Sequence, residues 1–241
     1  RVFGCRGSTS WDTIVKAIDW VIANHEKPAS INMSLGGGGN NTIDLAVKNA
    51  VKAGIPVVVA AGNSSKDACT SSPAREPVAI TVAATMDNDG RASFSNFGRC
   101  VDIFAPGVRI NSASHQSDTG YRALSGTSMA SPHVAGAVAL IQGIYSSWNP
   151  AKIASSLSDK STKNKVRDPR NSPNKMLQVN RFGSVPIVSA GDDIIKRIPD
   201  NSVTIVGKAK DLDGFIVEAS WRQISGNSVD LENSQFDWLV H

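Results

Sequence analysis

Ala29-Ser30-Ile31-Asn32-Met33-Ser34-Leu35 and Pro56-Val57-Val58-Val59-Ala60-Ala61 flank a stretch, Thr42 to Ala53, in which Leu45, Ala46, Asn49 and Ala50 repeat on one side of a helix. The second flank is a β-branched run of the kind that forms strands buried on both faces. Gly54 stops the helix and Pro56 forbids its continuation. Strand, helix and strand in that order make a βαβ unit, so a parallel sheet with right-handed crossovers is expected.

The same alternation extends outward. Upstream, Ile14, Ile18 and Val21 lie at helical spacing over residues 11–25, with Ala17 beside them and Ser10 as a cap. Downstream, Ala79 to Ala84 reads as a third strand. A small-residue helix follows from about Ser128 to Tyr145, then a shorter one from Pro150 to Leu157 with proline at its first position. The class is α/β.

Composition bounds the function. The chain has 241 residues, 41% hydrophobic and 19% charged, with 25 basic residues against 21 acidic. That suffices for one large core, or one core and a small second domain. No apolar run reaches the roughly 18 residues of a membrane helix. The basic residues are scattered, which gives no support to a nucleic-acid or membrane partner. Three cysteines, at 5, 69 and 100, cannot form a paired CxxC zinc site.

The texture changes near residue 184. Val203-Thr204-Ile205-Val206 and Phe215-Ile216-Val217 alternate between turn signals such as Gly191-Asp192 and Asp213-Gly214, which suggests a small antiparallel β-sandwich. Residues 185–241 are fewer than the about 100 such a domain uses, so it is expected to be truncated, with 1–184 as the first domain.

The chemistry concentrates in Leu124-Ser125-Gly126-Thr127-Ser128-Met129-Ala130-Ser131-Pro132-His133-Val134-Ala135-Gly136. Ser128 falls in the first turn of a helix, where backbone N–H groups are unpaired and an oxyanion can be held beside a nucleophile. A lone Gly-x-Ser is more often a simple cap. Here the stretch Ser125 to Ala135 resembles the active-site serine segment of the subtilisin-like serine peptidases.

That resemblance implies a parallel-sheet, three-layer subtilisin-like fold, incomplete at its N-terminus, and a serine endopeptidase working through an acyl-enzyme. It implies Ser128 as nucleophile. Ala60-Ala61-Gly62-Asn63, at the carboxyl end of a strand, looks like the family's oxyanion segment, with Asn63 as amide donor. Ser34, Leu35 and Gly36, with Ala60, Ala61 and Gly62, would line the groove and the pocket for the residue before the scissile bond. Such a lining is roomy and uncharged and implies a broad apolar or aromatic preference. Catalysis needs no cofactor.

Arg1-Val2-Phe3-Gly4-Cys5 and Ser93-Phe94-Ser95-Asn96-Phe97-Gly98 are most similar to the proteinase K-like branch. In that branch Asp102, with the carbonyls of Pro77 and Ala79, would hold a structural calcium ion, an ion that prefers such oxygen ligands. Cys69 and Cys100 match a disulfide of bacterial members, and Cys5 would pair upstream. Three free buried thiols are the other reading. The disulfide reading goes with secretion.

The family's triad runs Asp, His, Ser, so Asp and His are expected upstream of this chain, and the chain alone is expected to be inactive. Asp118-Thr119-Gly120 lies too near Ser128 to be the acid. His133 is five residues after Ser128, about 140° round the helix, and is expected to be a packed structural residue. His25 and His115 fall on surface segments. An α/β-hydrolase, suggested by Gly126-Thr127-Ser128-Met129-Ala130, needs its Asp and His after the serine, where only His133 and His241 lie.

The C-terminal stretches around Asp211-Leu212-Asp213-Gly214 and Trp221-Arg222 resemble a PKD-type immunoglobulin-like module, with Trp221 as a core aromatic. The implied partners are protein or peptide substrates, with a polymeric surface for this module, and the implied state is a monomer. The competing expectation is a non-catalytic subtilase homologue that binds peptide or polymer.

Overall fold

The computed structural model describes residues 2–4, 7–179, 187–192, 194–195, 204–210 and 237–238. The chain divides into two compact units, Arg1–Val179 and Asn180–His241.

In the first unit, α1 (Trp11–Asn24) begins where the Ser10 hydroxyl accepts from Thr13 N–H. Strand β1 (Ile31–Met33) follows, then the short β2 (Gly37–Gly38). Helix α2 (Asn41–Lys52) starts one residue before the expected Thr42, because Asn40 caps it through Oδ1 to the N–H groups of Thr42 and Ile43. Gly54, at φ 88°, ends it in the left-handed region that favours glycine. Next come β3 (Val57–Ala60), a 3-10 turn (Ala68–Thr70), β4 (Ser71–Ser72), β5 (Ile80–Thr85) and β6 (Ile103–Pro106). A hairpin, β7 (Ile110–Ala113) with β8 (Tyr121–Leu124), leads into α3 (Thr127–Ile144). Helix α4 (Pro150–Lys160) runs a turn beyond the expected Leu157 and precedes β9 (Thr162–Lys163) and β10 (Lys175–Met176).

The main sheet has the order β1-β3-β5-β6-β10-β9. All its pairings are parallel except β10–β9. Every residue of β3 and β5 is buried, as strands covered on both faces require. Register sorts the two faces. Val57 and Val59 pack with Ile14, Ile18, Ile43, Val47 and Ala50 under α1 and α2. The alternate residues face α3: a Cβ on Gly107 would touch both Ala84 of β5 and Ala130 of α3. The unit is thus the three-layer α/β arrangement. Helix α3 buries Ala130, Val134, Ala137, Val138 and Ile141 and leaves Leu140 and Ile144 on its open side.

Two glycine-led strands, β2 and β4, pair outside the main sheet, Gly37 with Ser72 and Gly38 with Ser71. Cys69 and Cys100 form a disulfide, which selects between the two readings of these cysteines. Cys5 lies outside the described residues.

In the second unit, β11 (Ile187–Ser189) pairs antiparallel with β12 (Lys208–Lys210), while β13 (Asp237–Trp238) pairs parallel with β12. The parallel pairing departs from the expected antiparallel pattern. The strand expected at 203–206 is also displaced: residues 204–206 have no regular structure, and the strand begins at Lys208. Ile205 and Val206 are both exposed, so their alternation has no covered face to fill. Asp211, Asp213, Phe215 and Trp221 lie outside the described residues.

Candidate active site

Three chain segments meet at one end of the main sheet. Ser34 leaves the carboxyl end of β1, Asn63 leaves that of the adjacent β3, and α3 begins between them. Open α/β sheets place ligands at such strand ends.

Asn63 is held from two directions. The backbone N–H of Thr127 donates to Asn63 Oδ1 at 2.8 Å, and the Thr127 hydroxyl donates to the same oxygen at 2.9 Å. The carbonyl end of the amide is thereby occupied and its NH2 end is left to face outward. The Thr127 hydroxyl in turn accepts from Gly62 N–H at 3.1 Å. No side chain caps α3, whose N-cap is Gly126, and among the described residues Ser128 N–H has no partner. A Cβ on Gly126 would stand 3.4 Å from Asn63 Nδ2 and 3.6 Å from Ser128 N. Two donors therefore converge on one small volume that only a glycine leaves open.

The loop behind Asn63 is set by Asn96, which is 1% exposed. Its Oδ1 accepts from the N–H groups of Ser64 and Lys66, and its Nδ2 donates to Ala61 O. A Cβ on Gly62, whose φ is 103°, would lie 2.4 Å from Asn96 Nδ2. Thus Gly62 is required both by backbone conformation and by the amide packed against it.

Ser128 is half-buried, and its hydroxyl donates to Ser34 O at 3.2 Å. The Ser34 hydroxyl returns a bond to Ser128 O at 2.8 Å and also meets Ser131 Oγ at 2.9 Å. Among the described residues no histidine hydrogen-bonds Ser128. His25 bonds Ile22 O and His115 stands exposed in the β7–β8 turn. His133 is exposed rather than packed, because its Nδ1 turns back to Met129 O on the outer side of the helix. Asp118 is likewise exposed in that hairpin turn.

A cleft of about 440 Å3 opens beside Ser128. Leu35, Gly36, Ala60, Gly62 and Asn63 line it, together with Gly37, Gly38, Ser64, Ser71 and Ser72. Two expected wall residues are not in it. Ala61 is fully buried and packs with Ala83 and Phe104, since it follows Ala60 on the opposite side of the strand end. Ser34 instead stands behind Ser128. The expectation of an uncharged lining is also corrected, because Lys66 forms part of the wall. Lys66 carried no marked signal in the sequence, while Asn96 and Thr127 lay inside the two quoted family-like segments with no role assigned to them.

A second cleft, of about 400 Å3, brings together Pro77, Ala79 and Asp102 at the amino end of β5 and β6. Asp102 Oδ2 accepts from Thr81 N–H at 2.8 Å. Withdrawal from water pushes the Asp102 carboxyl up to about 6, against the Thr81 hydrogen bond and the charge of Lys175, which pull it down. Solvent still reaches Asp102 at the cleft mouth, which limits how far burial can act. One carboxylate with nearby backbone carbonyls suits a hard cation. Lys175, hydrogen-bonded to Ser158, lines the same cleft and opposes one. Among the described residues no three His, Cys, Asp or Glu side chains cluster as metal ligands.

The family model described as Subtilase family matches residues 1–202. An extracellular serine proteinase of Thermus sp. (strain Rt41A) is 53% identical over 178 residues, 73% of this chain and 43% of that protein. Alkaline serine exoprotease A of Vibrio alginolyticus is 48% identical over 177 residues, 73% of this chain and 33% of that protein. The crystal structure of a cold adapted subtilisin-like serine proteinase superposes with a TM-score of 0.72 at 45% identity, covering 74% of this chain and 65% of that one. The chain thus spans less than half the length of these two curated relatives.

Proposed function

The chain belongs to the subtilase family, and from that membership we propose that it carries the nucleophile and oxyanion donors of a serine endopeptidase acting on protein or peptide substrates. The observation that carries this reading is the convergence of Asn63 Nδ2 and Ser128 N–H on one point at the start of α3. Ser128 attacks the scissile carbonyl, and the two donors take the negative charge that develops on its oxygen. The step requires a histidine to receive the Ser128 hydroxyl proton, which now points to Ser34 O, and a carboxylate to orient that histidine. Both are supplied from outside the described residues. That histidine then gives the proton to the leaving amine as the scissile C–N bond breaks, and water hydrolyses the resulting acyl-enzyme to free the acid and regenerate the Ser128 hydroxyl.

The finer assignments are part of the same proposal. The chain falls in the proteinase K-like branch. Leu35, Gly36, Ala60 and Gly62 seat the residue before the scissile bond, with room for bulky apolar side chains. Asp102 with the carbonyls of Pro77 and Ala79 holds a structural calcium ion. The protein is secreted, a reading supported by the Cys69–Cys100 disulfide and by a relative named extracellular, and it acts as a monomer. The second unit is a PKD-like module that attaches the enzyme to a polymeric surface.

A fluorophosphonate probe tests the core of this reading on the full-length protein. Stoichiometric labelling of Ser128, lost in Ser128→Ala together with peptide hydrolysis, is expected. Tight peptide binding with no labelling and no hydrolysis would instead assign a non-catalytic binding homologue.

A further inference from the structure

We infer that Lys66 makes the cleft beside Ser128 selective for a substrate whose residue before the scissile bond is acidic, over one carrying the neutral isostere. The inference rests on the peptidase reading above and names the substrate class of that same cleft.

The charge in the cleft is one-sided. Among the described residues Lys66 is its only ionisable lining residue, and no aspartate or glutamate among them lines it. Among the described residues Lys66 has no ion-pair partner, whereas Arg75, Arg91 and Arg109 pair with Asp44, Asp168 and Asp87. The adjacent Asp67 forms no ion pair with it. Asp67 Oδ1 instead accepts from Cys69 N–H at 2.9 Å and lies where a Cβ on Gly98 would meet it.

The backbone of Lys66 is rigidly placed. Its N–H donates to the buried Asn96 Oδ1 at 3.2 Å, and its carbonyl accepts from Phe97 N–H at 3.1 Å. The Cys69–Cys100 disulfide fastens the same loop three residues on. The flexible stem of Lys66 therefore swings from a fixed point on the cleft wall. Its ammonium is available to a carboxylate in the cleft without first breaking an existing pair.

The remaining lining leaves room for that carboxylate. Gly36, Gly37, Gly38 and Gly62 add no side-chain bulk, and Ser64 and Ser71 can donate hydroxyl protons to it. A glutamate side chain fits this environment: an aliphatic stem against glycine and alanine, and a charged end near one uncompensated cation. Field lines of a single charge are focused in such a cleft, which strengthens the attraction relative to an open surface.

The test compares peptides that differ only in the residue before the scissile bond, Glu against Gln, in the full-length protein and its Lys66→Met and Lys66→Glu variants. The kcat/KM ratio for Glu over Gln is expected to be roughly 3- to 10-fold in the parent, the range of a partly exposed to partly desolvated pair. It is expected to fall to about 1 in Lys66→Met and below 1 in Lys66→Glu, and to shrink with added salt. Using the ratio within each variant removes any general loss of activity. A parent ratio at or below 1, or one that Lys66→Glu leaves unchanged, overturns the inference. Peptide affinities in Ser128→Ala give the same ratio without turnover. Glu-selective binding with no hydrolysis by the parent would overturn the peptidase reading and leave the Lys66 assignment standing.

Discussion

Ser34 donates its hydroxyl proton to the carbonyl of Ser128 across 2.8 Å, and that carbonyl is the one in α3 that Pro132 cannot serve. A proline has no N–H to close the helical bond to the residue four before it. The end of β1 thus supplies the hydrogen bond that the helix lacks at Ser128. Ser34→Ala is expected to destabilise the fold by about 1–2 kcal/mol, the usual result of stranding a half-buried acceptor. Pro132→Ala restores the N–H, so Ser34→Ala should cost about 1 kcal/mol less in that background. Urea unfolding of the four proteins in the cycle measures the coupling, and strict additivity would refute the relationship.

Thr127→Val keeps the shape of a fully buried side chain and removes its hydroxyl. Gly62 N–H then loses its acceptor, and Asn63 keeps only the backbone N–H of Thr127. We expect kcat to fall about tenfold with KM nearly unchanged. That loss is smaller than the roughly 100- to 1000-fold expected for Asn63→Ala, which deletes the proposed oxyanion donor outright. A KM effect with intact kcat would place Thr127 in binding instead.

Gly62→Ala forces a side chain into a left-handed backbone and against Asn96 Nδ2. The backbone conformation alone costs about 1–3 kcal/mol. Asn96→Ala removes the clashing group but orphans Ala61 O and the N–H groups of Ser64 and Lys66. The double variant should therefore be no more stable than Gly62→Ala alone, which calorimetry can check.

Arg75 holds the glycine rim of the cleft. Its Nε donates to the buried Asp44 at 2.7 Å, its Nη2 to Asn41, and its Nη1 packs against Gly39. Asp44 Oδ1 is already without a partner among the described residues. Arg75→Ala leaves a mostly buried carboxylate unpaired, at a cost of about 3 kcal/mol, the lower end for such pairs because Arg75 is one-third open. Asp44→Asn with Arg75→Ala should recover part of that loss in chemical denaturation.

Asp102 makes stability depend on pH. Its carboxyl lies above the ordinary 3.8, at about 6, when the chain is folded. The folded state therefore holds its proton more tightly than the unfolded state, and this contribution is full below pH 4 and lost as pH rises through 6. In chelator, the parent should lose stability relative to Asp102→Asn across that window. Added calcium should raise the melting temperature of the parent more at pH 7 than at pH 5, since the ion needs the ionised form. An equal calcium response in Asp102→Asn would remove Asp102 from the ion site.

The run of local signals was legible because each acts within a few residues. Asn40 and Ser10 cap their helices, Gly54 ends α2, and the Val57–Val59 run occupies a strand covered on both faces. The serine segment is read in the same way, through a helix start with no side-chain cap. The face of Ala61 was not legible, since one residue beyond the strand end reverses a side chain. Nor was the strand at Lys208, because alternation shows which residues could face a core and not whether one is there to meet them.

By itself, then, the sequence determined the α/β layering and singled out Ser128, Gly62 and Asn63 as candidates, since periodicity, caps and a contiguous motif are properties of neighbouring residues. Only the tertiary structure decided what holds these groups. Thr127 meets Asn63 across 64 positions, Ser34 meets Ser128 across 94, and Asn96 reaches Ala61 across 35. Side-chain hydroxyls and amides satisfy whichever backbone group the fold brings within about 3 Å, and no local pattern records which group that will be.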